Sequence, residues 1–243
     1  MMPSAPRAPK SVAIVQSNYI PWKGYFDLIN SVDEFVLYDD CQYTRQDWRN
    51  RNRIKTANGT RWITIPVSVN NLYEQRLDET ETADLRWAQR HWETIRQSYR
   101  RAPYFADHAG QLEAAYEACA TEPRLSKINR ALLEVVCEIL HIGTTLTWST
   151  NYAATGSRTE RVVNLCVKAG ASTYVSGPRA RSYIDAALFD AAGVKLRYFD
   201  YDGYAEYPQL HPPFEHDVTI LDLLFNVGPN AQSFMKTFAS GQT

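Results

Sequence analysis

The sequence contains no apolar run approaching the roughly 20 residues that a membrane-crossing helix needs, which argues against an integral helical membrane protein. Net charge is also nearly absent. With 26 basic against 27 acidic residues, no global field draws the chain to nucleic acid or to an anionic membrane, and any anion site has to be local. Cysteine is scarce and scattered: Cys41, Cys119, Cys137 and Cys166 form no CxxC pair, so neither a zinc signature nor a disulfide framework is present, and the thiols read as reduced. The glycine-rich fingerprints are missing too, since no segment carries the Gly-Lys-Ser/Thr ending of a Walker loop or the GxGxxG of a dinucleotide site. The opening segment 1–10 is basic and proline-bearing, but no apolar signal core follows it, so secretion is not expected and the reading is a cytoplasmic protein. Asn58-Gly59-Thr60 then reads as a turn rather than a glycan acceptor. There is no internal repeat.

What is present is ordinary globular material, 44% hydrophobic, 12% aromatic and 22% charged. A chain of 243 residues in this range is expected to form a flexible tail over 1–10 and a single α/β domain over 11–243, interrupted by a helical insertion at about 83–141. The run from Ser11 to Val15 predicts a strand, Gly24 to Ser31 a helix and Glu34 to Tyr38 a second strand, together a βαβ unit with parallel strands. Arg61 to Val69 alternates as a strand, with Pro66 placing it at an edge or a bulge. Between Ala83 and His141 the spacing turns helical. Leu85, Trp92, Ile95 and Tyr99 share one stripe, Leu125, Ile128, Leu132, Val135 and Ile139 another, and Ala102-Pro103 and Glu122-Pro123 divide the region into about three helices. Strand and helix then alternate again: Thr145 to Trp148, Thr159 to Ala169, Thr173 to Val175, Arg179 to Ala187 and Val194 to Phe199, with a closing helix over Val218 to Phe225. The fold expected is Rossmann-like, a largely parallel sheet with a helical insertion.

Open α/β sheets bind ligands beyond the carboxyl ends of their strands, and three polar stretches fall there. The first places Gln16, Asn18, Tyr19, Trp22 and Tyr25 where a strand gives way to a helix, amides and rings suited to a planar or sugar-like ligand. In the second, Asp39 and Asp40 could hold a cationic amine, a divalent metal or the nearby arginines, and Gln42, Tyr43 and Trp48 lead to Arg49, Asn50, Arg51, Asn52 and Arg53. If that stretch is extended, its arginines point one way, a geometry that matches phosphate or carboxylate. The third is strand, glycine turn and helix, with Ser176, Gly177, Pro178 and Arg179 at a helix start that could cradle an anion, or simply a turn with proline at the first helical position. His91, His108 and His141 lie in the helical region; His211 and His216 are better placed as bases but match no metal spacing. Cys41 and Ser149 are nucleophile types without an elbow motif.

Taken together, Val15-Gln16-Ser17-Asn18-Tyr19-Ile20-Pro21-Trp22-Lys23-Gly24-Tyr25-Phe26, Tyr38-Asp39-Asp40-Cys41-Gln42-Tyr43, Trp48-Arg49-Asn50-Arg51-Asn52-Arg53-Ile54, Tyr174-Val175-Ser176-Gly177-Pro178, Tyr207-Pro208-Gln209 and Asp222-Leu223-Leu224-Phe225-Asn226 resemble the WbqC-like protein family over nearly the whole chain after the tail. Members occur in bacterial gene clusters for surface polysaccharide and related metabolites. The resemblance therefore implies acyl or aminoacyl transfer onto an amine of a small, nucleotide-linked amino sugar. In that reading Arg49, Arg51, Arg53 and Arg179 hold the anion, Gln16, Asn18 and Tyr19 orient the acceptor, and Asp39 or Asp40 takes the proton. The front half is also similar to adenylating nucleotidyltransferases, with Mg²⁺ at Asp39 and Asp40, but Tyr19, Trp22 and Tyr25 stand where those enzymes carry an HxGH motif. A third reading is a binding protein that does not turn its ligand over. The partner expected is a small anionic molecule, not nucleic acid or membrane; no motif identifies a cofactor, and the helical insertion reads either as a lid or as a homodimer surface.

Overall fold

The structure, a computed structural model, describes residues 9–69 and 74–238. Residues 1–8 of the expected tail and 239–243 at the other end lie outside the described residues. Its centre is a five-stranded sheet built from β1 (Ser11–Val15), β2 (Glu34–Leu37), β7 (Thr145–Trp148), β8 (Thr173–Ser176) and β9 (Lys195–Tyr198), all paired parallel in the order β7-β2-β1-β8-β9. The α/β, Rossmann-like expectation holds.

A parallel sheet of this kind is covered on both faces, and the two-residue period of its strands sorts the side chains between them. Ala13, Phe35, Leu37 and Val175 join one buried cluster with α1 (Lys23–Asn30), α2 (Trp87–Tyr99), α3 (Phe105–Cys119), α4 (Leu125–Ile139) and α7 (Ile220–Val227). Val12, Ile14, Val36 and Tyr174 join the opposite cluster with Leu165 and Cys166 of α5 (Arg158–Ala169) and Phe189 of α6 (Ala186–Ala191). Glu34 is the exception, a carboxylate buried in β2. It is satisfied by Lys10 at 2.5 Å, by Thr147 Oγ1 at 2.5 Å and by the Tyr152 hydroxyl.

The insertion consists of α2, α3 and α4, broken near Ala102-Pro103 and Glu122-Pro123 as expected. Leu85 is a correction: it precedes α2 and is exposed, and the inward stripe runs through Trp87, His91, Trp92, Ile95 and Tyr99. The stretch before it also differs from expectation. Arg51–Thr56 forms a strand, β3, in an antiparallel hairpin with β4 (Gly59–Thr64), turning at Ala57-Asn58, and Gly59 takes φ +95°, a conformation that favours glycine. The strand expected over Arg61 to Val69 stops at Thr64, and a short β5 (Val67–Ser68) pairs with β6 (Glu81–Thr82) instead. The break is held by Asn50, whose carbonyl accepts from Ile65 N at 2.7 Å and whose Nδ2 donates to Ile65 O at 2.8 Å, just before Pro66, which has no N–H to continue a ladder. The helix expected over Arg179 to Ala187 is likewise divided into a 3-10 turn, Pro178–Ser182, and α6, because the Asp185 side chain caps a fresh helix by accepting from Ala187 N at 3.1 Å.

Candidate functional site

The connection from β1 leads to β2 on one side, whereas the chain returns through β7 and α5 to place β8 on the other side of β1. The loops after β1 and β8 diverge at this reversal, which leaves a crevice at the carboxyl end of the sheet. A cavity of about 720 Å³ occupies it. Gln16, Asn18, Trp22 and Tyr25 line it from the first loop, Arg49 and Asn52 from the second stretch, and Ser176, Gly177 and Arg179 from the third. The three stretches singled out in the sequence thus converge on one space, though not with every residue named.

Arg49 is held on two sides in the wall. Its Nη1 donates to Asn18 Oδ1 and its Nη2 to Gln16 Oε1, so two amide oxygens fix the plane of the guanidinium, while Asp47 lies 3.7 Å away. Gln16 is oriented in turn, with Nε2 at 2.6 Å from Cys41 Sγ and its backbone carbonyl accepting from the Tyr25 hydroxyl at 2.9 Å. Burial pushes the Cys41 thiol up to about 11, and the thiol donates to Tyr38 O at 2.9 Å; a protonated, committed sulfur is a poor nucleophile. Burial likewise holds the Tyr25 phenol well above its ordinary range. Trp22 turns its indole back over Gly24, where an added Cβ would stand 2.4 Å from Cζ2, and its far side meets Tyr201 and Tyr204 at centroid distances of 5.5 and 5.4 Å.

Asp39 and Asp40 stand behind this wall rather than in it. Asp39 is 1% exposed, and its oxygens accept from Ser17 N at 2.8 Å and from Ser126 Oγ of α4. Burial raises its carboxyl above the usual range, against the pull of the two serines. Asp40 accepts from Ser149 Oγ at 2.6 Å and pairs with Arg161 of α5. The adjacent carboxylates therefore face different partners, and among the described residues no three His, Cys, Asp or Glu side chains gather as metal ligands. Asn129, fully buried on α4, donates to Ser17 Oγ at 3.0 Å and to Arg49 O at 2.9 Å, tying the helical insertion to the site.

Other residues expected in the site support it from outside. Tyr19 is fully buried and lies in a chain of hydroxyl and ring groups: 2.8 Å to Tyr116, 2.7 Å to His91 Nδ1, and on from His91 Nε2 to Thr64 O at 3.1 Å. Burial lowers His91 to about 4, so it is neutral, donating to Thr64 and accepting from Tyr19. Tyr43 is buried with its N–H on Gln75 O, and Gln42 is exposed, its backbone bridging Arg76. Asn50 clamps Ile65. Asn52 reaches the wall, but its Nδ2 donates to both Tyr19 O and Ile20 O at 3.0 and 2.8 Å, holding the first loop where Ile20 takes φ +34°, strained for a β-branched residue. The alternate arginines do not share one target. Arg49 lies before β3 and faces the cavity, whereas Arg51 and Arg53 sit on β3 beside Trp62. His211 and His216 are not among the lining residues. Tyr201 and Asp217 also line it and lie outside the three stretches; Tyr201 follows the end of β9, so its position at a strand end is the sequence signal that marks it.

Comparison with known proteins identifies the family. Residues 16–234 match the model of the WbqC-like protein family, a span that includes the cavity-lining residues from Gln16 to Asp217. The chain is 50% identical over 227 residues, 93% of its own length and 98% of the relative's, to a Mycobacterium tuberculosis protein that carries the name Uncharacterized protein Rv1507c. No solved structure matches.

Proposed function

Starting from the premise that the chain belongs to the WbqC-like protein family, we propose that its cavity holds a small anionic metabolite and that the protein transfers an acyl or aminoacyl group to an amine of a nucleotide-linked amino sugar. The observation that carries this reading is Arg49, largely buried in the cavity wall with its plane fixed by Asn18 and Gln16, across a crevice whose β8 loop supplies the exposed Arg179. A guanidinium fixed before the ligand arrives suits phosphate or carboxylate, because little further ordering is needed to make a charge-assisted hydrogen bond. The rings of Trp22, Tyr25 and Tyr201 supply faces for a sugar.

Acyl transfer to an ammonium requires that one proton leave before attack and a second leave with or to the departing group. The carboxylate in the wall is Asp217, at 2.9 Å from Arg53 Nη2 and mostly exposed. In this reading it takes the first proton from the ammonium, the neutral amine nitrogen then bonds to the acyl carbon as the bond from that carbon to the donor's leaving group breaks, and the leaving group takes the second proton. Asp39 and Asp40 hold the loops, since their oxygens are already engaged by Ser17, Ser126, Ser149 and Arg161.

A thermal-shift screen against nucleotide-linked amino sugars, bare nucleotides, coenzyme A thioesters and amino acids tests the reading, because a ligand that binds the native state raises Tm by mass action. A shift with amino-sugar nucleotides that disappears in Arg49→Ala is the expected result. Retention of the full shift in that variant, or silence from every anionic class, would contradict it.

A further inference from the structure

Five large apolar side chains are exposed among the described residues, and two of them, Trp48 at 36% and Trp62 at 43%, meet with ring centroids 5.2 Å apart. Trp62 stands on β4 opposite Arg53 of β3, on the face of the hairpin away from the buried Ile54 and Ile63. The core therefore does not require an indole there. Two guanidinium groups lie over the same ring, Arg51 with Cζ 4.3 Å and Arg53 with Cζ 5.7 Å from its centroid. The result is a partly exposed pair of indoles with two guanidinium groups stacked against one of them, a chemistry that suits a planar base joined to phosphates.

This surface continues into the cavity at two points. Trp48 belongs to both, lining the cavity and setting its ring against Trp62, with its backbone carbonyl accepting from Tyr19 N at 2.9 Å. Asp217 is the second link, lining the cavity while it pairs with Arg53. We infer that Trp48 and Trp62, with Arg51 and Arg53, form an outer subsite for the base of a nucleoside diphosphate, whose phosphates lead inward to Arg49 and whose sugar occupies the cavity. The inference rests on the proposed reading of the cavity and adds where the nucleotide is read: the base is bound outside the cavity, at the hairpin, and a simple sugar phosphate makes no contact there. A hairpin brace of cation–π pairs with no ligand would place the same residues together, and the two accounts differ in what Trp62 does for binding.

The test measures binding by titration calorimetry with UDP- and dTDP-linked amino sugars and with the corresponding amino sugar 1-phosphates, for the full chain and for Trp62→Leu, Trp62→Phe and Arg49→Ala. Leucine keeps an apolar cover on Arg51 but removes the π face, so nucleotide-linked sugar binding is expected to weaken ~10-fold, with sugar 1-phosphate binding unchanged and phenylalanine restoring most of the loss. Unchanged nucleotide-linked affinity in Trp62→Leu, with Arg49→Ala defective, would overturn the outer subsite and leave the cavity reading standing. Equal weakening of both ligand classes would overturn base recognition at this position. Binding of neither class by the unaltered chain would overturn the cavity reading and this inference with it.

Discussion

Asn129 of the helical insertion donates from Nδ2 to the backbone carbonyl of Arg49 at 2.9 Å, so a helix far from the sheet's carboxyl edge in sequence sets the position of the arginine in the cavity wall. The same amide nitrogen also reaches Ser17 Oγ, and Ser17 N donates to Asp39. One buried network thus joins the loop after β1, the end of β2, the approach to β3 and α4.

Replacing Asn129 with alanine leaves Ser17 Oγ and the Arg49 carbonyl without their shared donor. Loss of about 1–3 kcal/mol in unfolding free energy is expected, together with weaker binding of anionic ligands. Urea unfolding followed by calorimetry separates the two effects, and a variant of unaltered stability would argue against the network.

His91 gives the fold a pH dependence with a definite sign. Its pKa is lowered by burial to about 4, against an ordinary 6.5, so the unfolded chain binds the proton more readily than the folded one. The stability associated with neutral His91 is fully present above pH 6.5 and is lost as pH falls toward 4, by about 3 kcal/mol in order of magnitude. His91→Gln should flatten that limb of a urea-midpoint profile measured between pH 4 and 7. An identical slope in the variant would show that another group is responsible.

Asp217 and Asp39 are separated by their roles. In an acyl-transfer assay with a nucleotide-linked amino sugar, Asp217→Asn is expected to lower kcat 10²-fold or more, in the range ~10²–10⁴ of a lost general base, with little change in Tm. Asp39→Asn should instead lower Tm and raise KM, since Asp39 orients Ser17 and α4 rather than the acceptor. The reverse pattern would return the base to the end of β2.

Gly24→Ala would set a Cβ 2.4 Å from Cζ2 of Trp22, so the indole has to leave its place between the helix start and Tyr201. A cost of about 1–3 kcal/mol in stability is expected, with a shift in tryptophan emission as the ring moves. Alanine tolerated with unaltered emission would mean that the indole's place does not depend on this glycine.

Much of the frame was legible because the sheet strands are short apolar runs bounded by polar turns, and Ser11–Val15 and Thr145–Trp148 fall where their residues indicated. Strand β3 was not. Its inward positions are Asn52, Ile54 and the neighbouring Lys55, and the last is only 1% exposed because its ammonium donates to the Pro213 carbonyl, a contact 158 residues away in sequence that no local pattern reveals. Gln16, Asn18 and Arg49 could be found as polar groups at strand ends. A carboxylate pair after a strand, by contrast, reads the same whether its oxygens face a ligand or a helix. The partners that decide the matter, Ser126 and Arg161, lie 87 and 121 residues further on. Asp217 comes from an irregular proline-bearing segment, where periodicity carries no information.

The most direct test of the account is the affinity of a nucleotide-linked amino sugar for the unaltered chain and for Arg49→Lys, measured by titration calorimetry with the circular dichroism spectra matched. Lysine keeps the charge but loses the planar fork held by Asn18 and Gln16, so a fall in affinity of ~10-fold or more is expected with the fold retained. Equal affinity in the two proteins would contradict the central claim, because the anion would then be bound without the fixed guanidinium around which the cavity is organised.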